Sequence, residues 1–220
     1  MLELIERICS AVCHALPDRT FRFGGEPLPL CARCAGVYVG FLLTMIGFAC
    51  TRLRRCTVVP GTLLVVNILL IVLFGVCGFA ALYEAMVLPN DCRLLLGLSF
   101  GFAVAVFAFP LTRGWLLGME CRPWDQRDRL CFVALIVGLL AVSLAVSRGP
   151  GFLFWPVSLL GIAGLVGSHF LADVLILSWL LRPRRGGSAA LRASIAALAA
   201  VMCAGEFLFY AAWRQWWDVL

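Results

Sequence analysis

The chain has 220 residues, of which 63% are apolar and 14% charged, and it carries a formal net charge of +6. Soluble domains carry nearer ~50% apolar and ~25% charged residues. A chain this short has too little interior for the excess, which excludes an ordinary soluble enzyme and makes the lipid bilayer the expected solvent and partner. All 18 basic residues are arginine. They lie in short clusters between apolar runs, the pattern that orients membrane helices, so no nucleic-acid partner is expected.

The opening stretch, Met1-Leu2-Glu3-Leu4-Ile5-Glu6-Arg7, places two acids where a cleavable signal needs a basic region. The first spanning helix is therefore expected to direct its own insertion. Leu2, Ile5, Ile8, Val12 and Leu16 recur at helical spacing. They predict an amphipathic helix that lies in the interface and stops at Pro17. A Gly/Pro-rich connector follows from Asp18 to Leu30.

Six apolar runs come next, at 35–51, 58–83, 94–111, 130–147, 152–181 and 191–213. At ~1.5 Å per residue most of them are long enough for a hydrocarbon core of ~30 Å. The predicted fold is an all-α, polytopic transmembrane helix bundle of about six spanning helices plus the short N-terminal interfacial helix. Residues 1–33 form the amphipathic and Cys/His connector region, 34–112 a core of three helices, and 113–220 three additional helices.

The connections after runs one, three and five hold eleven arginines, and the other two connections plus the C-terminus hold Arg93, Arg148 and Arg214. This places the first set in the cytoplasm and both termini outside, in a multi-pass protein of the bacterial cytoplasmic membrane. Arg7, Arg19, Arg22 and Arg33 work against that orientation. Tyr38, Tyr83 and Tyr210, with Trp213, Trp216 and Trp217, are expected to form an outer aromatic belt. The small residues Gly36/Gly40, Gly97/Gly101 and Gly161/Gly164/Gly167 are expected at close helix contacts.

One segment carries chemistry. Cys13-His14 is followed, sixteen residues later, by Cys31-Ala32-Arg33-Cys34, where the connector enters the first spanning helix. Two cysteines at this spacing present both sulfurs to one ion, and a distant Cys/His pair can complete the coordination. Adjacent residues point apart, so Cys13 and His14 rarely bind the same ion, and three ligands would then leave an open position. A redox reading competes with this one. A Cys-x-x-Cys at a helix N-terminus gains thiolate character, Arg33 adds to it, and Cys13 would be the exchange partner. A structural disulfide or zinc clasp is the third reading. No His follows Cys34, so no haem attachment is expected.

The run Cys13-His14, Pro17-x-Arg19-x-Phe21, Gly24, then Pro29-Leu30-Cys31-Ala32-Arg33-Cys34-x-Gly36-x-Tyr38-x-Gly40 resembles an uncharacterised bacterial and archaeal membrane family, the domain of unknown function numbered two thousand and eighty-five. The resemblance continues through Asn90, Arg93, Gly97 and Gly101, while Ala35 stands where that family often has Thr. It implies a membrane fold and a shared cysteine motif and no particular activity.

Within the apolar runs, His169 and Asp173 share one helix face, and Glu206 lies one turn inside Tyr210. Ionisable groups at membrane depth are candidates for a polar path in a small transporter. The leading expectation is a site at the outer membrane face, with Cys13, His14, Cys31 and Cys34 holding zinc or another transition metal. Arg19, Arg33, Asp91 and Arg93 would surround it. A membrane thiol–disulfide oxidoreductase and the transporter are the alternatives. No nucleotide-binding loop or hydrolase motif is present, so no nucleotide is expected. The reaction, if any, the substrate and the protein partners are not encoded in any motif.

Overall fold

A computed structural model describes residues 8–10, 12–13, 16–55, 57–83, 88–116, 120, 122–181 and 188–217. Six long helices dominate: α1 (Ala32–Cys50), α2 (Gly61–Leu82), α3 (Asn90–Leu111), α4 (Gln126–Ser147), α5 (Phe154–Leu181) and α6 (Ala189–Trp217). All six are long and apolar enough to cross a membrane. Residues 8–10 and 12 are helical, and the remainder of the expected N-terminal helix lies outside the described residues.

Two helices begin a turn earlier than their apolar runs. α3 starts at Asn90 behind Pro89, whose ring fixes φ in a range that suits a helix entrance. α4 starts at Gln126 because Asp125 caps it. The Asp125 side chain accepts from the Asp128 backbone N–H, and the Asp128 side chain accepts from the Asp125 N–H. That reciprocal pair satisfies donors a helix start otherwise leaves open. Asp128 is fully buried and held by Arg122 at 2.9 Å. Short pairings complete this end of the bundle: β3 (Thr57–Val58) runs parallel to β4 (Arg122–Pro123), and Arg113 Nη2 donates to the Arg54 carbonyl at 2.6 Å. The first and third interhelical connections therefore meet on one side of the bundle.

α1 is the centre. It packs between α3 and α5; α2 and α4 pack on α3, and α6 packs on α5. The α1–α3 contact runs backbone against backbone. A methyl group added at Gly36 would lie 2.5 Å from the Leu94 carbonyl oxygen, and one at Gly40 would lie 2.7 Å from the Leu98 carbonyl oxygen. Gly97 and Gly101 meet the Arg33 and Val37 carbonyls in the same way from the α3 side. Apolar side chains gain nothing by leaving lipid for a protein interior, so close van der Waals packing of small residues must hold such helices together. On the opposite side of α1, Gly164 of α5 sits against the Tyr38 backbone, whereas Gly167 has open space. The outer faces of α2 and α4 present Val65, Leu69, Val76, Val137 and Leu144 outward, as lipid-facing surfaces should.

The connector ahead of α1 is structured. β1 (Arg22–Phe23) and β2 (Glu26–Pro27) form a hairpin. Its two turn residues, Gly24 and Gly25, have φ of +58° and +96°, values that glycine adopts without strain. Phe23, Leu28 and Leu30 are buried. The hairpin tip lies against Gly151 at the entrance to α5, so the connector caps one end of the bundle and fixes where α1 begins.

The seam gives a direct test. Gly101→Ala should destabilise the protein by about 1–3 kcal/mol, the usual cost of overpacking. Gly75→Ala, where the added methyl meets nothing within 4 Å, should be neutral or slightly stabilising. Thermal unfolding of the two variants in the same detergent checks the contrast.

Candidate metal centre

Cys31 is the residue at which extended backbone turns into α1, with φ −63° and ψ 158°, and Cys34 lies in the first turn. The Cys-x-x-Cys spacing therefore puts both sulfurs on the same end of the same helix. The third sulfur comes from the N-terminal segment. Cys13 follows a helical turn closed by its own N–H to the Cys9 carbonyl at 2.8 Å. The Cys31 backbone N–H donates to Cys13 Sγ at 3.3 Å. The sulfurs of Cys13, Cys31 and Cys34 all lie within 4.8 Å of one another. Thiolates bonded at ~2.3 Å to one tetrahedral ion stand ~3.8 Å apart, so a small contraction suffices. No disulfide joins Cys31 to Cys34. His14 lies outside the described residues.

Two neighbours complete the surroundings. Cys9 and Cys13 are buried with Leu30 and Ala35, and Tyr38 packs on the same group. Tyr38 is thus half-buried beside the cysteines, because its helix turns that face toward α5. Tyr83, Tyr210 and Trp213 are exposed. From the far end of the chain, Arg214 of α6 donates through Nη1 to the Ser10 carbonyl and to the Cys13 carbonyl, the latter at 3.3 Å. Arg214 thereby pins the segment that delivers Cys13. In sequence it reads only as a charge near a helix end, so this function was hidden, as was the burial of Cys9.

A cavity of about 330 Å³ opens beside the sulfurs. Its wall combines Cys13, Cys31 and Cys34 with Arg19, Arg33 and Arg93, and with Val12, Leu16, Gly78 and Ala81. Asn90 donates to the Asp18 carbonyl at 3.5 Å, so the start of α3 is tied to the connector. Three of the four residues expected around the cysteines therefore converge on them. Asp91 does not, since it is exposed on the outer side of the α3 entrance.

The intramembrane polar residues form a separate group. His169 Nδ1 lies 2.9 Å from Glu206 Oε2 across the α5–α6 contact. Asp173 is 2% exposed and its Oδ2 has no hydrogen-bond partner. His169, which shares a face of α5 with Asp173, makes its contact between helices, with Glu206. None of the three lines the cysteine cavity.

The electrostatics follow from crowding. A helix N-terminus favours a thiolate. Here the hydrogen bond to Cys13 has the larger effect and holds the Cys31 thiol above its ordinary value. Burial, with Cys13 beside it, pushes Cys9 from 9.0 up to about 12. Burial and these contacts favour the protonated forms of Cys9 and Cys31, and a bound cation would displace protons from its ligands.

A bundle of six spanning helices with a three-cysteine cluster where the first of them begins defines a class of polytopic membrane protein. The chain belongs to the family described as a predicted membrane protein (DUF2085), whose profile matches residues 13–107. An uncharacterized protein of Methanothermobacter thermautotrophicus is 34% identical over 96 residues, covering 43% of this chain and 82% of the relative. An uncharacterized protein of Methanocaldococcus jannaschii is 28% identical over 105 residues, 47% of this chain and 65% of the relative. No solved structure matches the chain. The family match takes in Cys13, α1, α2 and most of α3, and so includes every residue that lines the cavity apart from Val12.

The raised thiols set a pH dependence with a definite sign. The folded chain holds the Cys9 proton up to about 12, while an unfolded chain releases it near 9.0. Unfolding therefore releases protons between those values, and stability falls as pH rises through that window and is flat below it. The metal-free protein should show its unfolding midpoint decline above pH 9, and Cys9→Ala should flatten the decline in detergent-based melting curves.

Proposed function

We propose that the chain is a membrane metal-binding protein in which the thiolates of Cys13, Cys31 and Cys34 hold one transition-metal ion. The observation that carries this reading is the convergence of three sulfurs, from two separate segments, within 4.8 Å at the wall of a cavity. All-sulfur ligation selects soft or borderline ions, with zinc the leading choice. Three protein ligands leave a fourth position, which is the arrangement of a functional rather than a purely structural ion. The Cys31 N–H pointing at Cys13 Sγ favours the charged sulfur that a metal needs.

Purified protein, kept reduced, should carry about one equivalent of metal by elemental analysis. Cys31→Ser or Cys34→Ser should abolish it, because a neutral hydroxyl is a poor ligand beside sulfur. A chelator should lower the unfolding temperature of the wild type, since ion binding contributes to folding. His14→Ala should keep the ion, because Cys13 fills the third position. Protein that carries no transition metal and instead shows a reversibly reducible Cys31–Cys34 disulfide overturns the proposal in favour of thiol–disulfide exchange.

The arginine distribution supports an extracytoplasmic position for the cluster. The opposite end, where Arg54, Arg113 and Arg122 gather, has the character of a cytoplasmic face. A reporter joined after Leu220 should report an extracytoplasmic C-terminus; a cytoplasmic signal inverts the orientation.

A further inference from the structure

The cavity beside the cysteines contains more positive charge than its own walls neutralise. Arg93 is 7% exposed, and its Nε has no hydrogen-bond partner. Arg33 reaches from α1 toward α2, with its guanidinium 6.0 Å from the Phe74 ring centroid and a nitrogen near Gly78. Arg19 enters from the connector and meets Asp18 at 3.5 Å, on a side where that carboxylate is largely solvated. Among the described residues no other acid forms an ion pair with these three. A buried guanidinium with an unpaired nitrogen is costly, and three guanidinium groups around one space repel each other.

The cysteines do not remove the surplus. With protonated thiols the cavity carries three positive side chains against Asp18. With three thiolates and a divalent ion the cluster adds a single negative charge, and a positive excess remains. The space is concave, large enough for a small anionic group, and walled by planar forks that match phosphate oxygens in pairs. An ion held by Cys13, Cys31 and Cys34 would border the same space.

We propose that this cavity binds a phosphate-type oxyanion, held by Arg33 and Arg93 with Arg19 at the entrance. The group can come from an anionic phospholipid headgroup or from a soluble phosphate compound. The proposal shares the cavity with the metal reading but does not require the ion, since the charge excess exists in both states.

The test uses full-length protein in neutral detergent, with inorganic phosphate as the probe and calorimetry as the readout. Wild-type protein should bind phosphate, and Arg93→Gln and Arg33→Gln should each weaken binding about ten- to a hundredfold, as expected for the loss of a charge-assisted contact. Arg93→Lys keeps the charge and most of the packing; an intermediate loss there shows that the effect is not misfolding. A second arm reconstitutes the protein in phosphatidylglycerol or phosphatidylcholine bilayers. Arginine-dependent retention of phosphatidylglycerol together with weak inorganic phosphate binding assigns the headgroup as source, and the reverse assigns a soluble compound. Absence of arginine-dependent binding in both arms overturns the proposal. Metal content of the same samples keeps the two ideas apart. Normal metal without arginine-dependent phosphate binding removes the anion site alone, and arginine-dependent binding in protein that never carries metal removes the metal site alone.

Discussion

The closeness of α1 and α3 is the constraint on which the rest depends. Four glycines, two on each helix, let the backbones touch. In lipid, where apolar side chains gain little from association, that contact area is the main source of helix–helix attraction. It is also directional. Gly36 and Gly97 face each other only when the two helices have one relative height, and this height sets Cys34 and Arg93, each within about a turn of its glycine, side by side. A looser contact through leucines would permit the helices to slide; interlocked glycines do not. The site is therefore a consequence of packing several residues away from it.

α1 makes a second close contact on its other side, where Gly164 meets the Tyr38 backbone. The central helix is thus held from two directions, and α2, α4 and α6 are added outside. This accounts for the distribution of polar groups. The His169–Glu206 pair lies in the α5–α6 contact, where a bond between neutral or charged partners compensates for the missing water. The Arg122–Asp128 pair performs the same role at the opposite end of the bundle.

Much of this could be read from the chain. Apolar length and composition are enough for six spanning helices, because the bilayer imposes its thickness on any sequence that crosses it. The Cys-x-x-Cys at the start of α1 and the glycine pairs were legible because both are local patterns at helical spacing. Helix entrances were harder. The polar first turns at Asn90 and Gln126 carry no apolar signal and depend on Pro89 and on the Asp125–Asp128 cap. Long-range choices were not legible at all. Nothing local says that His169 prefers Glu206 over Asp173, that Tyr38 turns inward, or that Asp91 faces away while Arg93 faces in. These outcomes are decided by which helix lies alongside.

The Arg214 clasp bears on the order in which the molecule can be completed. Membrane helices are handed to the bilayer one after another from the N-terminal end, and the segment carrying Cys13 emerges first. Its anchor is near the end of the sixth helix, about two hundred residues later. Throughout synthesis the Cys13 segment thus waits for α6 before it gains the Arg214 contact. A contact so distant in sequence forms only once α6 lies beside the N-terminal segment, so it reports that these two parts of the bundle have met.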